Sequence, residues 1–196
     1  MSENLLRDRL RAVTSKSHAG LDALAAALDL ETRAGYCAFL SASAAALAPL
    51  ELALELAGVE GWLADWPHRA RRAALARDLS ALGLPQPRLL TSTIPSAAFG
   101  AGVLYVLEGS RLGARFLARQ VRRADPQAPL AYLTHGEGQD LWRSFLTWLE
   151  AQPKVGWRTD ESEAGARYGF QCFSAAFETV FPPGGLNVRA GVHARV

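Results

Sequence analysis

The sequence predicts a single all-helical bundle, and three observations predict it. Apolar residues recur at helical spacing along nearly the whole chain, while no segment alternates convincingly as a half-buried strand would. At 196 residues, with 49% hydrophobic and 20% charged residues, the chain has the length and balance of one ordinary globular domain, large enough to enclose a ligand. Neither an internal repeat nor a domain linker divides it.

The first helix should run from about Asn4 to Leu28, with Leu6, Leu10, Val13 and the stretch after Ser17 forming its inward stripe. Thr32 is placed to cap a second helix that runs to about Ala57, is interrupted or bent near Pro49, and is closed by Gly58. A connector bearing Trp62 and Trp66 leads to a third helix, Pro67 to about Leu82, with arginines on its outer face. Three prolines make the segment from Gly83 to Pro95 largely loop. A fourth helix is expected from Ser96 to about Arg123, ended by Asp125, Pro126 and Pro129. Two more follow, Gly138 to Ala151 and Asp160 to Phe181. The domain thus spans residues 1–181. The remainder, 182–196, has no periodicity and reads as a flexible tail.

Composition narrows the function. A formal charge of +2 gives no reason to invoke nucleic acid. Of the 21 basic residues only Lys16 and Lys154 are lysines, a bias that base composition alone can produce. Cys37 and Cys172 form no metal-type pair and no disulfide framework, which fits a reducing cytoplasm. The N-terminus has charges every few residues and no apolar signal core. No stretch approaches the roughly 20 uninterrupted apolar residues of a membrane span, so no membrane is expected.

The fourth helix breaks its own rules. FGAGVLYVLEGSRLGARFLARQV is long and apolar yet holds Gly100, Gly102, Gly109 and Gly113, each costing about 1 kcal/mol relative to alanine in a helix interior. Gly109 and Gly113 are four apart and share a face, a bare backbone groove. Such a groove serves either close packing against a neighbouring helix or a flat ligand touching the main chain, with the glycines also permitting a kink. On the first helix, Thr14, His18 and Asp22 fall on one face at steps of four. A lone histidine beside an apolar stripe can be a satisfied boundary residue. With Asp22 one turn on to accept its Nδ1 proton, it can instead offer Nε2 to a metal. Zinc would need more protein ligands than any cluster here supplies; one imidazole suffices for heme, whose porphyrin provides four ligands.

Together these motifs resemble the bacterial branch of the heme oxygenase family, biliverdin-producing and in part associated with bacteriophytochromes. LRAVTSKSHAGLD is similar to the family's proximal helix and YVLEGSRLGARFL to its distal helix, in the family's order and about 90 residues apart. DLWRSFLTWLE and AGARYGFQCFSAAFETVF resemble its two C-terminal helices. The likeness covers nearly the whole chain except the connector around Trp62 and the tail.

The resemblance implies a heme sandwiched between a proximal N-terminal helix and a glycine-rich distal helix. It makes His18 the proximal iron ligand and Asp22 its supporting carboxylate. Gly109 and Gly113 become the distal glycines that let the backbone overlie the heme. Ser110 stands where many members place a polar residue, often aspartate, that organises distal water. Arg11 and Arg143 match positions that supply basic residues to the propionates, and either could equally be a solvated surface charge. Thr14, Tyr105 and Phe170 are further candidate heme-pocket residues, the two aromatics otherwise being simply core.

Heme b is then both cofactor and substrate. O2, leaning along the porphyrin plane towards one bridging carbon, opens the ring to biliverdin with release of iron and carbon monoxide. Electrons must come from an external donor, such as a ferredoxin or reductase, because no flavin or nicotinamide fingerprint is present. Arg115, Arg119, Arg122 and Arg123 could dock an acidic donor or simply complement a helix C-terminus. A bacteriophytochrome is the expected acceptor of the biliverdin, and iron acquisition is the other role open to such an enzyme. Three rivals stand beside this reading. They are a non-enzymatic heme carrier or sensor on the same scaffold, a thiaminase-II-type hydrolase needing a reactive cysteine, and a structural bundle that would leave the glycines unexplained.

Overall fold

The computed structural model describes residues 5–89, 92–152 and 156–180. Eight α-helices carry those residues, with no strand among them. The tail from 182 onward lies outside the described residues.

Helix α1 (Leu6–Ala26) starts where the backbone N–H groups of Leu6 and Arg7 donate to the Glu150 carboxylate, at 3.1 and 2.9 Å. Two of the donors that every helix start leaves without a partner are thereby satisfied from across the bundle. Helix α2 (Arg33–Leu56) begins at Thr32, whose hydroxyl oxygen accepts the Gly35 N–H at 3.0 Å. It runs unbroken through Pro49 and ends before Gly58, which turns the chain at φ 82°. By length and composition α2 could cross a bilayer, but 67% of its most apolar window is buried inside the bundle, against α8 and α4.

The single helix expected from Pro67 to Leu82 is two: α3 (Trp66–Arg69) and α4 (Arg72–Ala81), separated by extended backbone at Ala70. That break overturns the expectation of an arginine-laden outer face. Arg69 and Arg71 turn inward and are 1% and 2% exposed. Burial of Arg69 is tolerable because its guanidinium donates to Asp65, Glu108, the Leu141 carbonyl and Ser144, each at 2.7 or 2.8 Å.

The fourth expected helix is likewise divided, into α5 (Ala97–Gly109) and α6 (Arg111–Ala124), with Ser110 at the break. Ser96 caps α5 by accepting the Phe99 N–H at 3.1 Å. Helices α7 (Leu141–Glu150) and α8 (Thr159–Thr179) complete the bundle. Helix α8 lies at its centre, packed by α5, α1 and α2. The approach of α5 to α8 is closer than side chains allow. A Cβ on Gly102 would lie 1.9 Å from the Ser162 carbonyl oxygen, and one on Gly165 would lie 2.0 Å from that of Phe99. These paired glycines press two backbones together, which seats the rest of α5 firmly over the core.

Candidate functional site

A cleft enclosing about 470 Å³ opens between α1, the α5–α6 break and α8, within the range of small-molecule and cofactor sites. Its walls are mostly apolar, with Leu21 and Ala25 of α1, Val106 and Leu117 of the distal pair, and Phe170, Phe173 and Phe177 of α8. Two polar features face each other across it.

The first is on α1. His18 Nδ1 lies 2.8 Å from Asp22 Oδ2, the pairing that a spacing of four sets up on a helix. The His18 ring also leans on Phe170, with centroids 5.8 Å apart. Nε2 has no hydrogen-bond partner among the described residues, and the side chain is 64% exposed at the cleft edge. This imidazole is oriented by a carboxylate and free to act through its other nitrogen.

The second is the break opposite. A Cβ on Gly113 would meet nothing within 4 Å, and one on Gly109 would touch only the Trp142 ring, at 3.8 Å. Neither glycine serves helix packing, then; both line the cleft. Gly100 and Gly102 divide from them completely, since a Cβ on Gly100 would lie 2.5 Å from the Trp62 ring and one on Gly102 would collide with α8. Of the two explanations open for the glycines, packing holds for one pair and bare backbone facing open space for the other.

Ser110 sits at the break itself. Its hydroxyl donates to the Leu107 carbonyl at 2.7 Å and accepts from Arg71 Nη2 at 2.9 Å. Tyr105 and Phe170 line the cleft as well. Burial pushes the Tyr105 phenol up, and the nearby charges of Arg7 and Arg11 pull it partly back, which places Arg11 near that end of the cleft. Arg11 itself is not part of the lining. Nor is Arg143, which is 83% exposed and lies 3.5 Å from Asp140. Thr14 is buried among core residues, and its hydroxyl is taken up by the Leu10 carbonyl one turn back. It packs α1 against the bundle and does not reach the cleft.

Sequence reasoning missed the residue beneath the break. Arg71 lines the cleft, donates through Nη2 to both Leu107 O (2.7 Å) and Ser110 Oγ (2.9 Å), and lies over the Tyr132 ring, 5.2 Å from its centroid. Nothing in HRARRAALAR marks two of its four arginines, Arg69 and Arg71, as buried. Only the break at Ala70 does. Tyr132 and Trp142, also in the lining, come from the segment after α6 and from α7.

No group of three or more His, Cys, Asp or Glu side chains among the described residues could hold a bare metal ion. A thiolate nucleophile fares no better, because burial pushes the Cys172 thiol up, away from the ionised form. The walls fit a flat, apolar ligand carrying its own metal: a lone oriented imidazole on one side, glycine backbone on the other.

No family model matches the chain. A heme oxygenase of Xanthomonas campestris pv. campestris is 35% identical over 132 residues, spanning 60% of this chain and 79% of that protein. The fold is similar to that of the NO- and CO-bound heme oxygenase of Neisseria meningitidis, with a TM-score of 0.79 and 23% identity, covering 91% and 92% of the two chains.

Proposed function

The chain belongs to the heme oxygenase family, and from that premise we propose that His18 is the protein's ligand to the iron of a heme held in this cleft. It is an enzyme that degrades heme, which is both its cofactor and its substrate, with electrons from an external donor. The opposition of the Asp22-held imidazole to the open glycine backbone of Gly109 and Gly113 is the observation that carries the site assignment.

Bound there, heme b supplies the iron that activates O2 and the ring that is opened to biliverdin, with release of iron and carbon monoxide; the reactivity is its own. The protein's part is position. Asp22, 2.8 Å from His18 Nδ1, would accept that nitrogen's proton and leave Nε2 as the atom to hold the iron. Without side chains at Gly109 and Gly113, the main chain would form the wall of the cleft beside a bound ring. Ser110 spends its proton on Leu107 and one lone pair on Arg71, leaving the other lone pair for a distal water. Phe170, Phe173 and Phe177 of α8 line the same cleft with apolar surface that would exclude bulk water. Arg11, whose charge reaches Tyr105 together with that of Arg7, would pair with a propionate at that end of the cleft.

The electron donor is acidic, ferredoxin or reductase in kind. Arg115, Arg119, Arg122 and Arg123 are exposed on α6, with no ion pair among the described residues. Leu112, itself in the cleft lining, and Phe116 are 61% and 64% exposed on the same helix. The free thiols fit a cytoplasmic setting. A bacteriophytochrome as biliverdin acceptor rests on the sequence of the distal helix alone.

One experiment tests the assignment. Purified protein titrated with hemin should bind one equivalent and show a histidine-ligated Soret band, then lose it to a biliverdin spectrum when reductant is added in air. His18→Ala should abolish the ligation and recover it with added imidazole. If His68→Ala or His135→Ala abolishes it instead, the ligand is misassigned. A Soret band that survives reduction in air would favour the carrier.

A further inference from the structure

A row of aromatic rings leads away from the cleft along α7. Tyr105 of α5 and Trp142 of α7 both line the cleft, with ring centroids 5.9 Å apart. The Trp142 ring is also the one that a Cβ on Gly109 would touch, at 3.8 Å. From Trp142 the row continues to Phe145, 5.8 Å away and stacked at 30°, and from Phe145 to Trp148, 5.6 Å away at 32°. Steps of three in LWRSFLTWLE set this up, because residues three apart are neighbours on one helix face. Phe145 is fully buried, whereas both indoles are half-buried, one at the cleft and the other further along α7, outside the cleft lining.

Packing alone would accept a leucine at either end of this row. An indole adds chemistry, since it is among the side chains that most readily give up one electron, while a phenyl ring between two indoles serves only to pass that electron on. With a rise of 1.5 Å per residue the two indoles are offset by about 9 Å along α7, a gap that an electron crosses in one step through the intervening ring. Trp148 is suited to end the row. Its Nε1–H donates to the Trp62 carbonyl at 2.6 Å. A carbonyl dipole stabilises positive charge on the indole but is too weak a base to remove its proton. Tyr105 is the poorer relay, because an oxidised phenol must expel its proton and burial pushes that phenol up. Indoles yield electrons and do not store extra ones. The row therefore works only when the cleft holds an oxidant stronger than an indole.

We propose that Trp142, Phe145 and Trp148 form a relay that carries oxidising equivalents out of the cleft, giving the protein a peroxide-reducing side activity that spares the cleft walls. The inference rests on the reading of this cleft as the heme site. A peroxide reduced at the loaded cleft takes up two electrons and two protons and leaves, for hydrogen peroxide, as two waters. The electrons cross one at a time. Trp142 gives one up, Trp148 replaces it through Phe145, and a small one-electron donor in solution, such as ascorbate, restores Trp148. The protons come from solvent.

The test maps where the oxidising equivalent goes. Hemin-loaded wild type, treated with hydrogen peroxide and a spin trap without ascorbate, should carry the adduct on the tryptic peptide that holds Trp148. Cleavage after Arg143 separates that peptide from Trp142. Hemin-free protein treated alike should leave it unlabelled. Phe145→Leu removes the bridging ring and should move the label back to Trp142 or Tyr105. Trp148→Phe should do the same and lower ascorbate-supported peroxide removal, with biliverdin yield in air unchanged. Equal labelling of Trp148 with and without hemin, undiminished labelling in Phe145→Leu, or wild-type peroxide removal in Trp148→Phe overturns the proposal. Loaded wild type with no label on Trp148 overturns it too, whether or not either variant folds. A wild type that takes up no hemin rejects the heme-site reading and this inference with it, whereas loaded protein with an unlabelled Trp148 rejects the relay alone.

Discussion

Adding one methyl group to different glycines of the same helical run should have opposite effects, and the structure sets the size of each. At Gly102 the new Cβ would lie 1.9 Å from the Ser162 carbonyl oxygen and 2.6 Å from the Ala166 nitrogen, both backbone atoms that no rotamer can move. Ordinary contact begins near 3.4 Å, so α5 and α8 must part locally by roughly 1.5 Å. Overpacking of that kind costs about 3 kcal/mol, offset by about 1 kcal/mol of improved helix propensity. For a chain of this length the net of about 2 kcal/mol lowers Tm by roughly 4–8 °C. At Gly113 the Cβ meets nothing, and at Gly109 only an aromatic ring at ordinary contact distance. There the propensity gain stands alone, and apo-protein Tm should hold or rise by up to about 4 °C. Biliverdin yield should behave the other way round. Gly113→Ala and Gly109→Ala place a methyl on the cleft wall that the proposed function assigns to the oxygen side and should cut it, while whatever Gly102→Ala protein folds should still turn over. Melting curves of the apo-proteins and absorbance of the product, on all three variants, decide the matter. If Gly113→Ala melts as low as Gly102→Ala, or makes biliverdin at the wild-type yield, the division of the glycines into packing and ligand-facing pairs is wrong.

Three further outcomes follow from other parts of the site. Asp22→Ala should still bind hemin but lower the iron–histidine stretching frequency of the ferrous complex and cost about 10–100-fold in turnover; an unshifted frequency would make Asp22 a surface charge only. His135 is held at about 4 by burial first and then by the charges of Arg111 and Arg71, and its Nδ1, 3.3 Å from Arg111 Nη1, must be the unprotonated acceptor. The unfolded chain, titrating near the ordinary 6.5, therefore takes up this proton first. Apo-protein stability should fall as pH drops from about 6.5 to about 4, and His135→Gln should flatten that part of the urea-midpoint profile; an identical slope in the variant would refute it. Reversing charge at Arg115 and Arg119 should weaken turnover supported by an acidic protein donor about tenfold and reduce its salt dependence, while dithionite-supported turnover stays unchanged. Equal loss with both reductants would show that α6 does not serve as the docking face.

Periodicity and caps made most of the bundle legible. Thr32, Gly58 and Ser96 mark helix ends where the structure has them, because a cap is a local hydrogen bond that sequence spacing almost determines. The His18–Asp22 pair was legible for the same reason, being one helical turn of geometry. The break at Ala70 was not, and at Ser110 only the freedom to kink that the neighbouring glycines give was readable. Neither residue is a breaker by propensity, and both lie in runs that read as continuous helix; tertiary bonds from Glu51, Glu108 and Arg71 end those helices. The placements of Thr14 and Arg143 show the complementary limit. A motif carries a residue type to a position, but whether the side chain points to core, cleft or solvent depends on neighbours far away in the chain.

Arginine usage acquires a physical meaning from those breaks. Glu108, 1% exposed on α5, lies between two guanidiniums, Arg69 at 2.8 Å and Arg111 at 3.0 Å, and Arg111 also reaches the Arg69 carbonyl and His135. Lysine could not replace either arginine, since a point charge on a flexible stem cannot bond a carboxylate, a carbonyl and a second side chain from one buried plane. Buried ion pairs gain little net stability over a well-packed apolar cluster, since desolvation consumes most of the attraction. What they do enforce is geometry, because removing any member strands a charge in the interior. The network lies directly behind the α5–α6 break, the one place where a bundle otherwise held by apolar packing must keep bare backbone facing an open cleft. Apolar contacts alone would tolerate a small slide of α6 over its neighbours; a shared carboxylate between Arg69 and Arg111, and Arg71 on the freed Leu107 carbonyl, would not. The expensive charges are therefore concentrated behind the open glycine backbone of the cleft, where the proposed function would need a fixed wall.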